Sequence, residues 1–306
     1  MSNTLIALDK SGSYRVYIGI TTNMVQQAAD IHKTTPLASA GLGRVLTAAG
    51  LMGLMLKDNG DRLTVRFRGD GPAGQILAAA NGAGDVKGYI ANPYVDLPLT
   101  AEKKLDVGGS LGKGELTVIK DIGMKEPYVG TTALVSGEIA EDLAAYFFIS
   151  EQQNSSVALG VRIERDLSIG AAGGMIIQTM PGAEEEAVDR LEELTGSMDP
   201  LTSSVKEIQD SMENAVDRER TEALLYRVFK GMPEKYKPEI LQERDISWKC
   251  DCSRERIERA LAAIGRKDLT EIIEEDGKAE LQCHFCLKKY SFNREELLSI
   301  LERARP

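Results

Sequence analysis

Cysteine and histidine are scarce in this 306-residue chain, which has four of the first and two of the second. So few cysteines exclude a disulfide-built scaffold, and a chain of this length buries enough surface to fold without one. His32 and His284 offer no Ser/His/Asp or Cys/His set, so the protein is expected not to be an enzyme. A surplus of basic charge is also absent: 37 Lys and Arg stand against 47 Asp and Glu, a net charge of -10. Nucleic-acid binding is driven by phosphate neutralisation, so nucleic acid is not an expected partner. Long apolar runs are missing too. The longest, residues 46–56, contains glycines and falls short of the roughly 18 residues that cross a bilayer. The first ten residues have no basic start and too short an apolar stretch for a secretory signal. The expectation is a cytoplasmic protein with no membrane partner, its thiols held reduced. Gly69-Asp-Gly-Pro-Ala-Gly74 is glycine-rich but has a proline and lacks the Lys-Ser/Thr of a phosphate-binding loop. It reads as a turn between strands, and no ATP site is expected.

Length alone suggests two domains, but charge and pattern divide the chain into three blocks. Residues 1–181 hold 16 basic and 18 acidic side chains, residues 182–247 hold 9 and 17, and residues 248–306 hold 12 and 12. Most of the acidity therefore lies in the middle block. The first block alternates apolar and polar residues over 14–20, 62–68, 116–119, 129–138 and 157–163, the period of strands. Thr35-Pro36 is a helix-start signal, and the apolar run to residue 56 predicts a helix buried nearly all round. His32, alone among polar neighbours, reads as a surface residue. Strands with a few helices make residues 1–181 an α+β domain.

Residues 182–247 read as an acidic helical linker. Ala187, Val188, Leu191 and Leu194 share one helical face. Leu201, Val205, Ile208, Met212 and Ala215/Val216 form a second stripe, and Leu224, Leu225, Val228 and Phe229 a third, ended by Gly231 and Pro233. The stripes are thin and the opposite faces are dense with Glu and Asp. Short helices of this kind need a surface to dock on. An ordinary helical linker and a segment that docks and releases both fit.

The third block, residues 248–306, predicts a small compact domain. Ser253 can cap a helix with Ile257, Leu261 and Ile264 inward, stopped by Gly265. Asp268-Leu-Thr-Glu271 reads as a capping box for a second helix, and Asn293-Arg-Glu-Glu296 caps a third with Leu297, Leu298 and Leu301 inward. Two strands, over 278–283 and 288–292, can pair across the turn between them. All four cysteines lie in this block, as Cys250-Asp-Cys252 and Cys283-His-Phe-Cys286. Paired cysteines in an otherwise cysteine-free chain read as a metal site, and four thiolates suit one tetrahedral Zn²⁺. Four thiolates and the ion sum to -2, which Lys249, Arg254, Lys288 and Lys289 can offset. With four sulfurs available, His284 need not be a ligand. Both spacings also suit redox chemistry, because a Cys-x-Cys disulfide closes a small strained ring and Cys-x-x-Cys is a common redox spacing. A switch and a purely structural zinc-ribbon-like binding module therefore stand side by side. A thiol–disulfide oxidoreductase using Cys283 and Cys286 is a third reading, without the thioredoxin-like βαβ context it needs.

Cys250-Asp-Cys-Ser-Arg-Glu-Arg256, Ile273-Glu-Glu-Asp-Gly277 and Cys283-His-Phe-Cys286 together resemble the redox-regulated bacterial holdase chaperones, the thirty-three-kilodalton heat-shock protein family. Gly69-Asp-Gly-Pro-Ala-Gly74, Asn92-Pro93, Ser150-Glu-Gln152 and Ala171-Ala-Gly-Gly-Met175 extend the resemblance through the first block, so it covers essentially the whole chain. Asn154 and Ile246-Ser-Trp248 depart from the family's usual residues. The resemblance implies a reduced, inactive monomer with one Zn²⁺ on Cys250, Cys252, Cys283 and Cys286. Under oxidative stress by peroxide with heat, or by hypochlorous acid, the disulfides implied are Cys250–Cys252 and Cys283–Cys286. Zinc release and linker unfolding would follow, then homodimerisation through the N-terminal domain. The active form would hold unfolding client proteins without ATP and later pass them to ATP-dependent foldases.

Overall fold

A computed structural model describes residues 2–303. The five alternating segments become strands β2 (Tyr14–Ile20), β3 (Arg62–Gly69), β6 (Gly114–Asp121), β7 (Tyr128–Ala133) and β8 (Ser155–Ile163). The fold adds β1 (Ser2–Asp9), β4 (Gln75–Asn81), β5 (Asp85–Ile90) and β9 (Ile169–Thr179), which the alternation did not mark. With β10 (Pro238–Trp248) they form one sheet in the order β7-β6-β3-β4-β5-β10-β1-β2-β9-β8. Gly69 to Gly74 is the β3–β4 turn, closed by the Gly69 N–H on the Gly74 carbonyl at 2.9 Å. Neighbouring strands run antiparallel except at β5–β10. That seam is parallel and short, pairing Ser247 with Asp85 and Trp248 with Val86.

Helices α1 (Thr22–His32), α2 (Pro36–Gly53), α3 (Val107–Leu111) and α4 (Ala140–Glu151) complete the first part of the chain. Thr35 caps α2 as its sequence predicts, its hydroxyl accepting from the Ala38 N–H at 3.3 Å, with Pro36 opening the first turn. Apart from Pro36 and Arg44, every residue of α2 is buried. A Cβ on Gly50 would meet Ile246 Cδ1 at 2.8 Å, so this glycine lets α2 lie directly over β10.

The middle block folds as α5 (Glu185–Ser197), α6 (Leu201–Ser211) and α7 (Asp217–Val228), then a short 3-10 turn at Glu234–Tyr236. Its stripes do find a docking surface. Leu5, Val16, Ile18 and Met175, on one face of β1, β2 and β9, share a core with Leu191, Val205, Leu224 and Phe229. The next residues along the same strands, Ile6, Tyr17 and Ile176, face the core that contains α2.

Several expectations need revision. Residues 238–247, assigned to the helical linker, are strand β10, because β1 offers a long antiparallel partner from Pro238 to Ile246 and this pairing outweighs local preference. Strand β7 stops at Ala133, where the chain turns before α4. His32 is buried, its Nε2–H donating to the Gly88 carbonyl at 3.1 Å and its ring edge-on to Trp248. Val216, expected on the α6 stripe, is 62% exposed and lies beyond that helix.

Compactness divides the chain into two units, the first ending at Lys249 and the second beginning at Cys250. The second unit contains α8 (Arg254–Ala263), α9 (Arg266–Glu275), the hairpin β11 (Lys278–Gln282) and β12 (Lys289–Asn293), and α10 (Arg294–Arg303). Ser253 caps α8 through the Arg256 N–H. Asn293 and Glu296 form the reciprocal capping box of α10, with both bonds at 2.9 Å. Asp268 does not open its helix. Gly265 at positive φ is the N-cap of α9, so Asp268 falls in the first turn, where a carboxylate complements the helix dipole. Ile264 and Leu298, expected inward, are exposed, and Ile300 takes the inward place on α10.

Candidate metal centre

Two short stretches carry the four thiols. Cys250 and Cys252 lie between the end of β10 and Ser253, the cap of α8. Cys283 and Cys286 occupy the turn between β11 and β12, whose register runs from Lys278–Asn293 to Gln282–Lys289. That turn is tightened by the Cys283 N–H on the Lys288 carbonyl at 3.0 Å and the Leu287 N–H on the Cys283 carbonyl at 2.8 Å. Leu287 takes a left-handed φ of 58° to close it.

The fold gathers all four predicted ligands. Cys250 Sγ lies 3.7 Å from Cys283 Sγ and Cys252 Sγ lies 3.3 Å from Cys286 Sγ. All four sulfurs fall within 4.8 Å of one another, and all four cysteines are free. Sulfurs about 2.3 Å from a tetrahedral zinc stand about 3.8 Å apart, so the donor set and its spacing fit such an ion. The four sulfurs can hold a metal ion; His284 is exposed in the turn between two of them.

The sulfurs differ in surroundings. Burial pushes the Cys250 and Cys286 thiols up. Burial also raises Cys252, but the Tyr290 hydroxyl and the neighbouring sulfurs outweigh it and bring this thiol down to about 7. Tyr290 Oη lies 3.1 Å from Cys252 Sγ, and that bond, followed by burial, raises the phenol. Sequence reading missed this residue. Its signal was the alternation of Tyr290 and Phe292, which places both on the inward face of β12. The expected basic offset is only partly available. Lys249 pairs with Asp85 at 3.0 Å, Arg254 with Glu296 at 2.6 Å and Lys289 with Glu280 at 2.8 Å. Lys288 instead stands over the Tyr290 ring, 5.3 Å from its centroid.

A family model described as Hsp33 protein matches residues 3–293. The chain belongs to the Hsp33 family. Among Hsp33 relatives, the 33 kDa chaperonin of Alkaliphilus oremlandii is 46% identical over 299 residues, covering 97% of this chain and 95% of that one. The 33 kDa chaperonin of Alkaliphilus metalliredigens is 45% identical over 304 residues, covering 99% of each. The crystal structure of the Thermotoga maritima 33 kDa chaperonin, an Hsp33 homologue, superposes with a TM-score of 0.83 at 33% identity, covering 98% of both chains. Hsp33 membership supports a chaperone function. Among the described residues, no helix is long and apolar enough to cross a membrane.

Proposed function

We propose that the chain is an ATP-independent holdase switched on by thiol oxidation. One observation carries the reading: four free thiols lie within 4.8 Å of one another, and the first of them follows closely on the strand that ends the docked helical segment. In the reduced protein, an inactive monomer of the cytoplasm, Cys250, Cys252, Cys283 and Cys286 hold one Zn²⁺. When bound, the ion keeps the four sulfurs as thiolates and ties the start of the C-terminal unit to the turn between β11 and β12.

Peroxide or hypochlorous acid attacks exposed thiolates. Joining Cys250 to Cys252 and Cys283 to Cys286 removes all four donors at once. What remains of the C-terminal unit is a small apolar cluster around Leu269, Ile273, Phe292 and Leu297, too little to keep about fifty residues folded. Loosening spreads along the chain through β10 to α5, α6 and α7, and uncovers Leu5, Val16, Ile18 and Met175. The uncovered face binds unfolding client proteins, and the active form dimerises through its N-terminal domain. Reduction later passes clients to ATP-dependent foldases.

The deciding measurement follows zinc content, free thiols and suppression of aggregation of a heat-unfolded protein, before and after peroxide at elevated temperature. The reduced protein should carry one zinc and suppress little; the oxidised protein should carry none and suppress strongly. Equal suppression by both forms overturns the switch, and zinc retained after oxidation would make the C-terminal unit a structural binding module. Cys283→Ser should bind zinc more weakly and loosen the C-terminal unit, checked by chelator competition and limited proteolysis.

A further inference from the structure

We infer that the Tyr290 hydroxyl is a brake on oxidation at one sulfur of the centre, Cys252. The inference rests on the four-thiolate reading proposed above. Tyr290 is 5% exposed and sits on β12 opposite Leu281 of β11, its ring packed in the C-terminal core. Its hydroxyl reaches Cys252 Sγ at 3.1 Å, within the range of an O–H···S bond. Two further donors come from the main chain: the Cys252 N–H toward Cys250 and the Lys288 N–H toward Cys286. Main-chain donors come with the fold. The phenol is a side-chain choice, removable by deleting one oxygen while the ring stays in place.

A hydrogen bond to a thiolate draws on the same lone-pair density that attacks an oxidant. It also holds the sulfur in its ligand position, as polar partners of metal ligands generally do. With hydrogen peroxide, the Cys252 lone pair attacks one oxygen, the O–O bond breaks, and hydroxide leaves and gains a proton to form water. The Cys250 thiolate then attacks the sulfur of the resulting sulfenic acid; the S–S bond forms as the S–O bond breaks, and a second hydroxide leaves and is protonated to water. The sulfur pair loses two electrons and peroxide gains them. Tyr290 slows the first of these steps by keeping Cys252 occupied, and so acts as a positioning residue that sets the threshold of the switch.

The test uses the zinc-loaded full chain as wild type, Tyr290→Phe and Phe292→Leu. Each is treated with a limiting alkylating reagent, and first-hit rates are read at every cysteine by peptide mass spectrometry, with zinc release followed by a chromophoric chelator. In Tyr290→Phe, alkylation of Cys252 should rise roughly tenfold and zinc affinity should fall by about the same factor, the lower end for loss of a ligand's polar partner. The other three cysteines should change much less. Phe292→Leu loosens the same core but keeps the hydroxyl, so its four rates should rise together. A uniform rise in Tyr290→Phe, an unchanged Cys252 rate, or a Cys252-selective rise in Phe292→Leu overturns the inference alone. A wild-type chain whose four thiols gain no protection from zinc overturns the four-thiolate reading, and this inference with it.

Discussion

The two faces of the same sheet are covered by helices of opposite character. On one face lies α2, buried on nearly every side; its single charged residue, Arg44, pairs with Glu138 at 2.6 Å. On the other lie α5, α6 and α7, which bury thin stripes: Ala187 and Leu191, then Leu201, Val205 and Ile208, then Leu224, Leu225 and Val228 with Thr221. Their remaining surface is mostly polar, with Tyr226 of α7 the large apolar exception, and residues 182–247 hold 9 basic and 17 acidic side chains. Removing α2 from the sheet would put an apolar cylinder into water. Removing α5 to α7 would release helices that carry their own solubility, although short helices barely persist alone. The difference teaches that detachability is set by the helix that leaves. The sheet surface beneath is apolar on both sides.

The largest effect should come from placing a carboxylate under each cover. An unpaired buried charge costs several kcal/mol unless the site can open to water. Leu46 and Leu224 are both fully buried. Leu46→Asp has no way to open without dismantling the first unit, so that unit should fail to fold. Leu224→Asp can be relieved by undocking, so the sheet should survive while trypsin gains Arg218, Arg220 and Arg227. If the uncovered face binds clients, the reduced, zinc-loaded Leu224→Asp protein should already suppress aggregation. Thermal melts and digestion patterns check both variants; equal loss of fold in the two would erase the distinction between the faces.

A smaller effect tests the strand that joins both regions. Ile246 is fully buried in β10, beneath Gly50 of α2, and β10 alone connects β5 to β1. Ile246→Ala should destabilise the first unit by about 2–5 kcal/mol, the usual range for such a cavity. Hydrogen exchange should quicken first at the β5–β10 seam, which is only two residue pairs long. Faster exchange confined to α5–α7, with this seam unchanged, would mean that β10 belongs energetically to the cover and not to the sheet.

What was legible in the sequence was what is encoded locally. Thr35-Pro36 and the apolar run after it specify α2 within a few residues. The Asn293–Glu296 box is likewise local, and the cysteine pairs announce their grouping by spacing. Strand β10 was not legible, because its assignment depends on β1, at the far end of the chain. Strand β9 was hidden by its glycines. A Cβ on Gly174 would meet Thr47 Cγ2 at 2.6 Å, so close approach to α2 replaces the side-chain pattern that marks a strand. At the candidate metal centre the grouping of the four cysteines could be read, but the Tyr290–Cys252 bond could not, since it needs the hairpin register and the path of the chain before α8 together.

The smallest effect concerns how the segment that carries α5, α6 and α7 is tethered where it meets the sheet. Glu234, in the turn before β10, accepts from Lys10 at the end of β1 and pairs with Lys237 at 2.9 Å. The bonds from Lys10 and then Lys237 hold its carboxyl down to about 2, against an ordinary value of 4.5. A depressed carboxylate contributes fully above the unfolded value and loses its contribution as pH falls through the folded one. Glu234→Gln should therefore lower the melting temperature slightly at pH 7, and the gap from wild type should close between about pH 4.5 and 2. The groups are exposed, so screening keeps the effect small, and added salt should shrink it further. A gap that survives both pH 2 and high salt would mean that Glu234 acts by packing. In that case the segment is tied down by its apolar stripes alone, and the contrast between the two faces becomes sharper.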